Sequence, residues 1–290
     1  MPVAYGILIT TPDPEFVFPA LVIPTDSTQT YALITLYFGI SNTYTEKVRA
    51  VVEWSYKGVS HVITDTTVDA NTTIYVTPTI QIPLSDVQQG FTAGECVING
   101  KFIVTAYKYN PASGAYDAII GTSYKDVKIR LIDPTDPSWV VIKRYSDGCP
   151  FDGAKSRRST PFGEGVSDYG DIATGTVSTP TFTPPSACII NDSYTANAGS
   201  SNCGYVNVDL RGRGRCYLLF YINKQRAFTL FDEKYSVGFP KAFIDKLPNN
   251  VWIAIGIILP IDALTINLCI DGVYPSGTVA YMDEWWIVCK

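Results

Sequence analysis

The densest run of ligand-capable side chains is Arg211-Gly212-Arg213-Gly214-Arg215. Three guanidiniums spaced by glycine could hold a phosphate or sulfate, since glycine lets the backbone approach a ligand and arginine presents a planar fork of donors. The plainer reading is an exposed hairpin turn with solubilising charge. Lys155, Arg157 and Arg158 form a second basic group that would complete any such patch. Trp285 and Trp286 are consecutive, so on a strand one faces the core and the other faces outward, where it could stack on a sugar or anchor a partner protein. Both would instead be buried if the strand is covered on its two faces. Phe228, Phe231, Tyr235 and Phe239 could extend that apolar surface. Asp152, Asp168 and Asp171 are spaced like oxygen ligands for calcium but do not match the EF-hand loop. The only histidine, His61, has no nucleophile context and reads as a strand residue. No Gly-x-Ser-x-Gly, Walker A or dinucleotide-binding string is present. The expectation is therefore a non-enzymatic chain with no catalytic residue, metal or cofactor.

Seven cysteines are unevenly placed. Cys96 stands alone in the first half and alternates in phase with Ile98, Phe102, Val104 and Ala106, as a small buried hydrophobe would. Cys149, Cys188, Cys203, Cys216, Cys269 and Cys289 fall in the second half as disulfide candidates, and sequence cannot choose their pairing. No Cys-x-x-Cys spacing points to zinc. Disulfides suggest an oxidising compartment, yet no basic segment followed by an apolar one marks a leader at the N-terminus. A trimmed mature chain, a hyperthermophile and a virion protein each reconcile the two, and the scarcity of Met and His leans towards a hot habitat.

These residues sit in a chain of 290 residues that is 46% hydrophobic, 13% aromatic and 17% charged, with a formal net charge of -5. Disorder is excluded by the aromatic content, and general polyanion binding by the acidic balance. The length suits two domains with cores large enough to fold without metal or disulfides. The longest apolar run, residues 251–261, falls short of the ~20 residues that span a bilayer.

The first half alternates with period two. Val48, Ala50, Val52, Trp54 and Tyr56 share one strand face, while Arg49, Glu53, Ser55 and Lys57 share the other. Lys57-Gly58 supplies a turn into Val59, His61 and Ile63. The same parity runs through residues 74–82 and 96–106, and again through Val127, Ile129 and Leu131 against Asp126, Lys128 and Arg130. Pro78 belongs at an edge or a bulge. With segments at 4–10, 31–40 and 116–121, about seven to nine short strands predict an immunoglobulin-like β-sandwich over residues 1–136. The prolines of Asp133-Pro134-Thr135-Asp136-Pro137 mark the domain boundary. A Gly/Ser/Thr/Pro-rich stretch over 145–186 is a functional loop or an arm wrapping a neighbour. Strands return from 205 onward, with a short helix expected over 240–247.

Near the end, Trp252-Ile253-Ala254, then Leu264 to Ile270 closing in Asp271-Gly272, then Met282-Asp283-Glu284-Trp285-Trp286-Ile287 resemble the final strands of concanavalin A-like or laminin-G-like jelly rolls. This resemblance covers about forty residues. It implies a jelly-roll sandwich over 137–290 and a fold used to bind glycans or proteins, or to cleave polysaccharides. The cleaving members carry Glu-x-Asp-x-x-Glu on one strand, which is absent here. Asp283 and Glu284 point to opposite faces and cannot form the pair ~5 Å apart that a retaining glycosidase needs.

The fold class expected is therefore all-β, with two β-sandwich domains. Few charges, many aromatics, cysteines and a long arm together favour a structural protein of a virus particle: a capsid, vertex or surface component that self-assembles or docks on other virion proteins, with a hyperthermophilic archaeal host as one source. The alternative is a carbohydrate-binding or adhesin module of a cell-surface protein or filament, with a glycan as partner. Neither reading calls for specific nucleic acid or a membrane span.

Overall fold

Where apolar and polar residues alternate, the chain is strand. The computed structural model describes residues 6–10, 15–20, 30–145, 165–166, 192–196, 202–224, 252–262, 265–270 and 278–290. The first elements are β1 (Ile7–Thr10), β2 (Phe16–Pro19), β3 (Tyr31–Thr35), β4 (Phe38–Asn42), β5 (Val48–Tyr56) and β6 (Val59–Val68). There follow β7 (Thr73–Val76), β8 (Thr79–Pro83), the helix α1 (Leu84–Gly90), β9 (Glu95–Asn110) and β10 (Ala115–Ile132). The remainder comprises β11 (Val140–Tyr145), β12 (Gly165–Val166), β13 (Asp192–Ala196), β14 (Asn202–Asn207), β15 (Cys216–Lys224), β16 (Trp252–Leu259), β17 (Thr265–Ile270) and β18 (Thr278–Cys289). The fold is all-β apart from the nearly two turns of α1 among the described residues.

Two compact units divide the chain. One holds Met1–Phe16, Thr25–Gly90 and Val97–Arg130; the other holds Val17–Pro24, Phe91–Cys96 and Leu131–Lys290.

In the first unit, β6, β5, β9 and β10 lie side by side in that order, and β1–β4–β7 and β3–β8 form separate antiparallel sheets. The layers meet through aromatics: the buried rings of Phe38 on β4 and Phe102 on β9 are 4.7 Å apart, and Trp54 on β5 packs edge-on to Phe102 at 5.8 Å. Val48, Ala50, Val52 and Trp54 are all buried, as their spacing predicts. The β5–β6 turn is equally legible, because Lys57 and Gly58 both take positive φ (49° and 81°), the conformation that a two-residue hairpin turn demands.

Four expectations change. Residues 74–82 are not one strand with Pro78 at its edge: the chain breaks there into β7 and β8, which pair in different sheets. Residues 31–40 break likewise into β3 and β4, and the Leu36 N–H donates to the Pro78 carbonyl at 2.8 Å across the two breaks. Segments 116–121 and 127–131 are instead a single strand, β10. Finally, Arg130 does not face water with Asp126 and Lys128. It is buried and donates from Nε and Nη2 to Glu15 Oε1 (2.9 Å) and Oε2 (3.3 Å).

The second unit contains β11–β18–β15–β16–β2 in that order, with β13 also on β18, and a separate β12–β14–β17 sheet. The 133–137 segment is a pair of Asx turns: Asp133 Oδ1 accepts from Thr135 N–H and Asp136 Oδ1 from Ser138 N–H. They deliver Trp139, whose Nε1 donates to the Gly94 carbonyl at 3.0 Å and whose ring lies 4.9 Å under the Lys290 ammonium. Lys290 also reaches Glu95 at 2.8 Å. Cys216 and Cys289 form a buried disulfide. Cys149, Cys188, most of the 145–186 stretch and the helix expected over 240–247 lie outside the described residues.

Candidate functional site

The arginine turn is closed on itself. Gly212 and Gly214 take positive φ (70° and 80°) and turn the chain between Leu210 and Cys216. Arg211 clamps Asp209 with two hydrogen bonds of 2.9 and 2.7 Å, and Arg213 Nε donates to the Asp209 carbonyl at 2.8 Å. Arg215 is tied through its backbone, exchanging two 3.0 Å hydrogen bonds with Lys290. The turn borders an apolar groove of about 350 Å³ lined by Gly212, Gly214, Arg215, Ile258, Leu259 and Ile261. Two of the three guanidiniums are held by Asp209, Arg211 by its carboxylate and Arg213 by its carbonyl. Hydrogen bonding from the Arg211 side chain pulls the Asp209 carboxyl down to about 2. The clamp therefore contributes stability in full above the ordinary Asp range near 4 and loses it progressively as pH falls from there through about 2. An NMR titration is expected to show Asp209 still ionised at pH 3; a midpoint near 4 would mean that the clamp is absent in solution.

Trp286 lies inside the second unit, 1% exposed, so its ring offers nothing to a ligand. Trp285 is its neighbour on β18, where the backbone alone is described; the same holds for Asp283, Glu284, Cys203 and Cys269. Lys155, Arg157, Arg158, Asp152, Asp168, Asp171, Phe228, Phe231, Tyr235 and Phe239 fall outside the described residues. His61 is an exposed residue of β6, opposite Trp54. Among the described residues no three His, Cys, Asp or Glu side chains cluster as a metal site.

The surface that does bring chemistry together is the outer face of β6–β5–β9–β10. With Val52, Trp54, Phe102 and Val104 inward, strand alternation turns Arg49, Val51, Glu53 and Ser55 of β5 outward, with Lys101, Ile103, Thr105, Tyr107 and Tyr109 of β9. Arg49 sits opposite Tyr107, and Val51 opposite both Thr105 and Asp65. The Arg49 guanidinium grips Asp65 through Nε (2.7 Å) and Nη2 (2.5 Å) and lies 5.5 Å over the Tyr107 ring. That hydrogen bonding lowers the Asp65 pKa, so the carboxylate stays ionised and accepts hydrogen bonds at neutral pH. Tyr109 and Tyr116 meet edge to face at 5.4 Å. Tyr124, two-thirds exposed, lies 5.8 Å beneath the Lys101 ammonium.

One end of this face opens into a groove of about 640 Å³ lined by Ser55, Asn99, Gly100, Lys101, Asp126, Val127 and Lys128. Its floor is tight. A Cβ at Gly100 would fall 2.1 Å from the six-membered ring of Trp54, so only glycine lets β9 cross the indole. The Trp54 Nε1 is buried without a hydrogen-bond partner.

Sequence reading passed over this face because Arg49, Glu53 and Lys101 look like an ordinary solvated side of a strand. The available signal was on the next two strands, where Tyr107, Tyr109, Tyr116 and Tyr124 occupy positions that a purely solvated face gives to polar residues.

No protein-family model and no curated protein sequence matches the chain. Solved structures similar at low level include two β-rich examples. One, described as the structural basis for promiscuous specificity of carbohydrate-binding modules of the β-sandwich superfamily, is 12% identical, covers 90% of this chain and 99% of its own, and gives a TM-score of 0.32. The other, the tandem CBM22-1-CBM22-2 domain of Paenibacillus barcinonensis Xyn10C, is 8% identical over 100% of both chains with a TM-score of 0.28. Neither score establishes a shared fold, so the functional reading rests on the outer face.

Proposed function

We propose that this chain is a non-catalytic carbohydrate-binding or adhesin module, displayed at a cell or particle surface, that holds a glycan on the outer β6–β5–β9–β10 face of its first unit. The observation that carries the reading is the combination on that face of Tyr107, Tyr109, Tyr116 and Tyr124 with the clamped Arg49–Asp65 pair. A sugar ring presents an apolar C–H face and a rim of hydroxyls. Tyrosine offers the first a flat amphipathic surface, and a fixed guanidinium-carboxylate pair offers the second both donors and acceptors. Because Arg49 and Asp65 already hold each other, they are ordered before the ligand arrives, which limits the entropy lost on binding.

The test is a glycan array followed by calorimetry on the best ligand. Tyr109→Ala and Tyr124→Ala are each expected to weaken binding about tenfold or more, on the order of 1.4 kcal/mol. Array silence, or binding indifferent to both variants, would sink the proposal.

Assembly keeps one observation of its own. Strand β11 ends its sheet in the order found among the described residues, and its Val140 and Val141 are 55% and 45% exposed. An apolar edge invites pairing with another chain. Mass photometry separates the readings: shells, rings or filaments support a structural role in a particle, while a monomer that binds glycans supports a module.

A further inference from the structure

We infer that the groove at the end of the outer face takes an acidic sugar, a pyranose bearing a carboxylate; this rests on the glycan-binding reading above. Ser55 and Asn99 can meet hydroxyls, and the remaining polar lining is two ammonium groups against one carboxylate. Lys101 is already engaged, 3.9 Å from Asp126 and over the Tyr124 ring. Lys128 follows Asp126 by two residues on the same strand, so it stands on the same face, and it has no carboxylate partner among the described residues. The groove lining therefore holds one more ammonium than carboxylate, on a chain whose formal net charge is -5. A neutral sugar leaves that ammonium without a counter-charge. A uronate or sialate carboxylate supplies one while its ring stacks beside Tyr124, and the pair is less screened inside a groove than on open surface.

The experiment uses the full chain and matched ligands that differ only in charge: an oligogalacturonate and its methyl ester, and sialyllactose beside lactose. The acid of at least one pair is expected to bind about tenfold tighter than its neutral partner, with the margin shrinking as salt rises; which pair responds identifies the source of the acid. Lys128→Gln should erase the margin, bringing acid and neutral partner to the same affinity. Equal affinity for acid and ester, or a margin that survives Lys128→Gln, overturns the inference and leaves the glycan-binding reading standing wherever Tyr109→Ala still weakens neutral binding about tenfold. No binding of any of the sugars tested on the array or here removes both.

Discussion

Glu15→Ala should cost the first unit about 3–5 kcal/mol, one of the two largest effects expected from any change in the described residues. Glu15 and Arg130 have side chains 2% and 10% exposed and meet through two hydrogen bonds. Taking both charges out of water was expensive, and their mutual attraction offsets that expense only while both are present. Alanine removes the carboxylate and leaves a buried guanidinium without that counter-charge in a site that admits little water. Replacing the pair with Glu15→Leu and Arg130→Met together should recover most of the loss, because no charge is then left to desolvate. Hydrogen exchange along β9 and β10 reads the local effect without requiring the whole chain to unfold in one step. A loss under about 1 kcal/mol would mean that the pair is solvated in solution, since that is the range of exposed ion pairs.

Arg130 also shows where sequence reading succeeds and where it stops. Alternation assigned Val127, Ile129 and Leu131 to the core, and all three are buried. It assigned Arg130 to water, because the partner that makes burial tolerable is Glu15, 115 residues away. The same boundary governs the rest. Strands β5, β6 and β9 are legible since their two faces differ along a single stretch of chain, and the Lys57-Gly58 turn since its φ angles are local. Helix α1 is too short to display a 3.6-residue period. Residues 31–40 and 74–82 read as continuous strands because nothing local says that both bend together; the bend is a hydrogen bond between Leu36 and Pro78. The candidate site was the least legible feature. Arg49, Asp65, Tyr107 and Tyr116 belong to four strands and become neighbours only through register, whereas Trp285-Trp286 and the Arg-Gly repeat are conspicuous because they are contiguous. Contiguity marks a buried position at Trp286, and at Arg211 and Arg213 a turn whose guanidiniums are held by Asp209.

Removing the Cys216–Cys289 disulfide is the other large effect, on the order of 4 kcal/mol for a loop of this length. The bond closes 73 residues of sequence separation, and most of its contribution comes from the freedom that the unfolded chain would otherwise regain. Its position follows from the ladder. Arg215 and Lys290 exchange both of their backbone hydrogen bonds, so the next pair, Cys216 and Cys289, is a non-hydrogen-bonded pair, the closer of the two kinds. The Cα atoms are 4.1 Å apart there. Both cysteines are buried, 0% and 1% exposed, beneath the turn in which a Cβ at Gly214 would strike the Lys290 carbonyl at 2.6 Å. A reductant therefore has no direct path to the sulfurs while the turn is closed. Native protein treated with a mild reductant should keep this bond, and denatured protein should lose it. The Cys216→Ala/Cys289→Ala variant should unfold its second unit at markedly lower urea, while glycan binding on the first unit's outer face is retained in dilute urea. A midpoint unchanged in the double variant would show that the β15–β18 ladder and the buried Tyr217, Leu219, Trp286 and Val288 around it hold that sheet without the crosslink.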